Sequence, residues 1–118
     1  MLTEPIAWRP SPETIAEANL TRFIAACGRQ DYDDLLTWAV SEPEAFYRKL
    51  LSYIDYRFFE PFTAAMDAAA GVAWLRWCSG GRTNVVLNSL DKWADTLTAG
   101  KCVLEWIGEN GDRLSLTY

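Results

Sequence analysis

The sequence has no histidine in 118 residues. That absence excludes Ser–His and Cys–His nucleophile pairs, because no imidazole is present to take the proton. Only three cysteines occur, Cys27, Cys78 and Cys102. They are widely spaced, form no C-x-x-C pair, and cannot supply the four N or S ligands of a structural zinc site. An odd, scattered set also argues against a disulfide framework and for a reducing compartment. Basic charge is scarce and dispersed: eleven Lys and Arg stand against sixteen Asp and Glu, for a net charge of −5. Nucleic acid and anionic membrane surfaces are therefore not expected partners, since both need clustered cations. No apolar run reaches membrane-spanning length, and Met1–Arg9 carries no apolar signal core, so a cytoplasmic location is expected. Internal repeats, Gly/Ser-rich linkers and the G-x-x-x-x-G-K-[ST] phosphate loop are missing as well.

What is present is a foldable chain rich in aromatics. Half of the residues are apolar and 23% are charged, with six Trp, five Tyr and five Phe. That composition and length suit one domain with one real core. The aromatic excess points beyond the core to docking on something large, because aromatics are enriched where surfaces meet.

Residues 1–10, with Pro5 and Pro10, read as an extended arm, and residues 11–118 as a single domain. Ser11-Pro12-Glu13 is an N-cap followed by Pro in the first turn. It predicts a helix with Ala16, Leu20, Phe23, Ile24 and Cys27 on one face, closed by Gly28. Asp31 predicts the cap of a second helix through Val40, with Asp33 and Asp34 at the positive end of its dipole. Ser41-Glu42-Pro43-Glu44 has the capping-box pattern and predicts a third helix ending near Asp55. The alanine-rich stretch Thr63–Ala70 predicts a short helix ending at Gly71. Val72–Cys78 fits either a strand or an aromatic loop. Gly80 and Gly81 predict a sharp turn, and Asn84 caps a helix with Val86, Leu90, Trp93 and Leu97 on one face, ended by Gly100. Residues 101–118 predict a β-hairpin about a type I′ turn at Glu109-Asn110-Gly111-Asp112. The fold class expected is mainly α with a C-terminal β-hairpin, an α+β domain. A lone two-stranded ribbon is marginal in water and needs cover, so the chain reads as a piece of something longer.

Each chemical feature has a plain structural reading. Gly80-Gly81-Arg82 ahead of a helix could cradle a phosphate with backbone N–H groups, or be a tight turn capped by Asn84. Asp31, Asp33 and Asp34 are carboxylates explained by their helix start. Cys78 is the one thiol placed for reactivity, next to a glycine turn, although an inert, partly buried cysteine is the favoured reading. Trp74 and Trp77 flank Arg76 and can pack under the glycine turn.

Three segments in order carry a family resemblance. The first is Trp38 followed by Pro43-Glu44-Ala45-Phe46-Tyr47. The second is Trp77 through Gly80, Gly81, Arg82, Asn84 and Asn88 to Leu90-Asp91. The third is Val103-Leu104-Glu105-Trp106 through the acidic glycine turn to Leu116-Thr117-Tyr118. Together they resemble the N-terminal segment of acetyl-coenzyme A synthetase-like, AMP-forming acyl-CoA synthetases, from about Trp8 onward. Residues 9–13 and 18–23 look most like the acetoacetyl-CoA synthetase branch. Cys78 and Ser79 stand where that pattern has an aromatic and often a proline, Thr83 replaces an apolar residue, and Lys92-Trp93 replaces a basic pair. The resemblance implies a helical N-terminal domain without catalytic, cofactor or metal residues of its own. Trp38, Pro43, Phe46, Trp77, Gly80, Gly81, Arg82, Asn84, Asn88 and Trp106 are then structural or interface positions, and hairpin 101–118 leads into the AMP-binding core, which would be the partner. In the full enzyme, ATP, Mg and CoA serve the conversion of a carboxylate to an acyl-CoA with release of AMP and pyrophosphate. Cut from its core, the chain is expected to self-associate or be modestly stable. The alternative is a free-standing intracellular interaction or assembly module without activity.

Overall fold

A computed structural model of the chain describes residues 7–118. Of the arm expected over residues 1–10, residues 1–6 lie outside the described residues, and residues 7–11 form no helix or strand. The architecture is α+β: helices and two small antiparallel sheets. It divides into two compact units, one running to Ile54 and the other covering Asp55–Tyr118.

The first unit is helical. Helix α1 spans Pro12–Glu17 and is capped by Ser11, whose hydroxyl accepts from the Thr14 N–H at 3.2 Å. The single helix expected through Cys27 is interrupted, because Ala18 is extended at φ −63°, ψ 140°. The Thr21 hydroxyl donates to the Ile15 carbonyl, which also accepts the Ala18 N–H, so both satisfy an end of α1. Helix α2 then runs Asn19–Ala26. Gly28, at φ +67°, closes it with two bonds, Gly28 N–H to Ala25 O and Arg29 N–H to Ile24 O. This is the paired closure that a left-handed glycine permits.

Helix α3 spans Tyr32–Ser41 and α4 spans Pro43–Tyr53, with Glu42 alone between them. Proline disfavours a helical residue before it, and Glu42 sits at φ −132°, ψ 60°. The expected capping box is not formed. Ser41 is the last residue of α3, and its hydroxyl donates backwards to Trp38 O at 3.2 Å. Proline at the first position of α4 needs no N–H partner, so the helix starts without a side-chain cap.

The core of this unit is aromatic. Phe23 and Leu35 are buried. Phe23 packs edge-on against Phe46 at 5.9 Å and at a tilt against Tyr53 at 5.0 Å, and Phe46 meets Trp38 at 5.8 Å. Such tilted ring pairs add to the burial of their area.

In the second unit, strand β1 (Ala64–Asp67) pairs antiparallel with β2 (Arg76–Ser79). This overturns the helix expected over Thr63–Ala70. Intrinsic alanine preference is a weak prior that tertiary pairing overrides. Here Ala64 faces Ser79, Met66 faces Trp77, and Asp67 faces Arg76. Ala65 is fully buried, a place that admits no larger side chain without repacking. The link between the strands holds a short 3-10 turn, Val72–Trp74.

Beyond Gly81, residues 85–94 are helical, but Leu87–Asp91 is wound as a π-helix before one α turn, α5 (Lys92–Ala94). The expected helix to Gly100 therefore stops short, and Leu97 lies outside it, fully exposed. The wider π winding also breaks the expected 3.6-residue stripe, and Val86, Leu90 and Trp93 are each more than a third exposed. Strands β3 (Cys102–Ile107) and β4 (Arg113–Thr117) form the expected hairpin, with a bulge between Cys102 and Leu104. Its turn is not type I′, because Gly111 alone has positive φ (+83°) while Asn110 does not. Gly111 N–H bonds Gly108 O, and Gly108 N–H bonds Asp112 O. That is a three-residue loop closed by a left-handed glycine.

Candidate functional site

The glycine turn and the two asparagines come together around one backbone position that sequence reasoning missed, Arg57. Asn88 Oδ1 accepts the Arg57 N–H at 2.7 Å, and Asn88 Nδ2 donates to Arg57 O at 3.0 Å. The side-chain amide thus pairs with one residue as a neighbouring strand would. Thr83 Oγ1 donates to the same Arg57 carbonyl at 2.8 Å and accepts from Asn88 Nδ2 at 3.0 Å. Asn84 Oδ1 accepts the Leu87 N–H at 2.7 Å, so it caps the helical stretch as expected.

Gly80 and Gly81 kink an antiparallel run. On one side of the kink Thr63 N–H bonds Ser79 O at 2.9 Å; on the other Arg82 N–H bonds Glu60 O at 2.9 Å, and Phe59 N–H bonds Arg82 O at 2.7 Å. Cys78 (φ +50°) and Gly80 (φ +79°) both take left-handed backbone. A Cβ on Gly81 would meet Phe62 Cβ and Cys78 O at 3.0 Å and Phe58 Cδ1 at 3.1 Å. Phe58 and Phe62 are themselves stacked edge-on at 5.0 Å. Glycine is needed here for the close approach of two backbones and two rings.

This arrangement does not fit a phosphate. The N–H groups of Gly81 and Arg82 already donate to Cys78 O and Glu60 O at 2.8 and 2.9 Å. The Arg82 guanidinium stands 3.3 Å from the Glu60 carboxylate. Two of the backbone donors an anion would use, and the one nearby guanidinium, are therefore engaged, and a carboxylate lies beside them. Burial pushes the Cys78 thiol up from its ordinary value, which disfavours the nucleophilic thiolate. Burial likewise raises Cys27, against the opposing pull of Lys49 and Arg29.

The acidic cluster at the start of α3 acts as a cap. Asp31 Oδ1 accepts the Asp34 N–H at 2.9 Å, and Asp34 Oδ2 accepts the Gln30 N–H at 3.0 Å. Arg29 pairs with Asp34 at 3.6 Å and lies over the Trp38 ring, 4.6 Å from its centre. Among the described residues, no three His, Cys, Asp or Glu side chains are grouped to hold a metal ion. Among them, too, no helix is long and apolar enough to cross a membrane.

The remaining sequence-selected residues lie elsewhere. Trp38 and Phe46 belong to the aromatic core of the first unit, and Pro43 opens α4. Trp77 on β2 and Trp106 on β3 are each about half exposed. Trp106 faces Leu114 across the hairpin, and Leu104 faces Leu116. Cross-strand partners point to one side of the sheet, so these four half-exposed residues make one apolar face. Thr83 was visible in the sequence only as a departure from the family pattern, and nothing local marks Arg57.

With this geometry in view, the relatives are informative. The family described as acetyl-coenzyme A synthetase N-terminus matches residues 32–89. The propionate–CoA ligase of Salmonella typhimurium is 30% identical over 80 residues, 68% of this chain and 12% of that protein. The acetyl-coenzyme A synthetase of Chlorobaculum tepidum is 27% identical over 89 residues, 75% of this chain and 13% of that protein. That of Mycolicibacterium smegmatis is 27% identical over 115 residues, 97% of this chain and 11% of that protein. The class these matches support is an N-terminal region of an acyl-CoA synthetase. Within it, residues 32–89 are similar to the acetyl-coenzyme A synthetase N-terminus. The chain spans about an eighth of the length of the relatives it matches.

Proposed function

We propose that this chain is a non-catalytic structural domain from the front of an AMP-forming acyl-CoA synthetase. The observation that carries the reading is where the family match falls. It begins at the first residue of α3 and ends one residue past Asn88, the side chain that pins the helical stretch to Arg57. The matched span thus holds caps, ring packing and a backbone pin. In this reading the AMP-binding core of the same synthetase is the partner, and ATP, Mg and CoA are bound by the full enzyme in the cytoplasm. Residues 9–13 and 18–23 favour the acetoacetyl-CoA branch. The ten sequence-selected positions then serve packing and the interface, and the chain alone self-associates or melts early.

Two measurements test this. An antibody against the chain, used on its source, should detect a species several-fold heavier than 13.3 kDa, and the isolated chain should form no acyl-adenylate from ATP and acetate, propionate or acetoacetate. A native species of 13.3 kDa would replace the reading with a free-standing assembly module. Adenylate formation by the chain would overturn both.

A further inference from the structure

We draw no further inference here: the strongest candidate, the apolar face of the β3–β4 hairpin formed by Leu104, Trp106, Leu114 and Leu116, is half exposed with nothing in the structure to show what covers it.

Discussion

The two units solve the same problem by different means. Up to Ile54, the helices satisfy their own backbone and need only to bring a few rings together around Phe23. From Asp55 onward, two-stranded ribbons satisfy only part of theirs, and long-range polar pins such as Asn88 to Arg57 add to them. The apolar burial differs accordingly: Phe23 and Leu35 are buried in the first unit, whereas Ala65 is the buried apolar residue of the second. Five of the six tryptophans are exposed, four of them in the second unit. A helical hairpin can close a small core with large rings. A thin ribbon has one layer only, and its apolar face stays open unless something is laid over it.

The sharpest way to break the contrast is to remove the ring at its centre. Phe23→Ala deletes contacts to both Phe46 and Tyr53, and large-to-small aromatic changes in a core cost about 3–5 kcal/mol. The expected result is loss of amide-exchange protection in α2, α3 and α4. Retention of that protection would mean that the rings do not hold the unit together. The equivalent blow to the second unit is smaller and comes from adding an atom. Gly81→Ala places a methyl 3.0 Å from a carbonyl and from Phe62 Cβ, an overpacking that costs about 1–3 kcal/mol. Gly80→Ala meets no such crowding, its nearest contact being 4.0 Å away, but it must hold φ +79°, which costs an alanine about 1–2 kcal/mol. Double-variant melts separate the two causes: a Phe58→Ala background, which removes the Cδ1 that the new methyl meets at 3.1 Å, should relieve part of Gly81→Ala and leave Gly80→Ala unchanged.

Asn88→Ala comes next. It leaves the Arg57 N–H without its partner and removes one of two donors from the Arg57 carbonyl. At this partly solvated site, the loss should be about 1–2 kcal/mol. Hydrogen exchange at the Arg57 amide reads it directly, and unchanged protection there would remove Asn88 from the account. Asp31→Ala, by contrast, is a local change in the helical unit. It removes the acceptor for the Asp34 N–H, and a lost N-cap costs about 1 kcal/mol. Asp31→Asn should restore most of it, because the carboxamide oxygen accepts the same bond.

Local rules were legible in the sequence, and long-range ones were not. The caps at Ser11, Asp31 and Asn84, the closing Gly28 and the proline opening α4 all depend on residues within five positions of one another. They were readable for that reason. Strand β1 was read as helix because its alanines favour helix locally, while the pairing that decides the matter lies about a dozen residues ahead. The hairpin was legible, but its loop was not, since Gly108 and Asp112 close it one residue wider than the Asn-Gly signal suggests. At the candidate site, the glycines and asparagines stood out as a spacing pattern. Their partner Arg57, 31 residues before Asn88, carried no mark at all.

The smallest expected effect sharpens the comparison by pH. Asp67, on β1, is held below its ordinary carboxyl value chiefly by the Ala69 N–H, at 3.0 Å from Oδ1, and secondly by the Arg76 guanidinium. Because folding lowers this pKa, the ionised form is the stabilising one. Its contribution is complete above the unfolded value of about 3.9 and drains away as pH falls through the lowered folded value. Both groups are solvated, so the effect on stability is small, and the carboxyl carbon shift is the better readout. Titration of Asp67 should fall below the usual carboxylate range in the native chain. Arg76→Gln should leave much of that displacement in place, because the backbone donor remains. A return to the ordinary value in Arg76→Gln would instead assign the displacement to the cross-strand ion pair. The β1–β2 ribbon would then depend on side-chain charge rather than on the turn that follows β1.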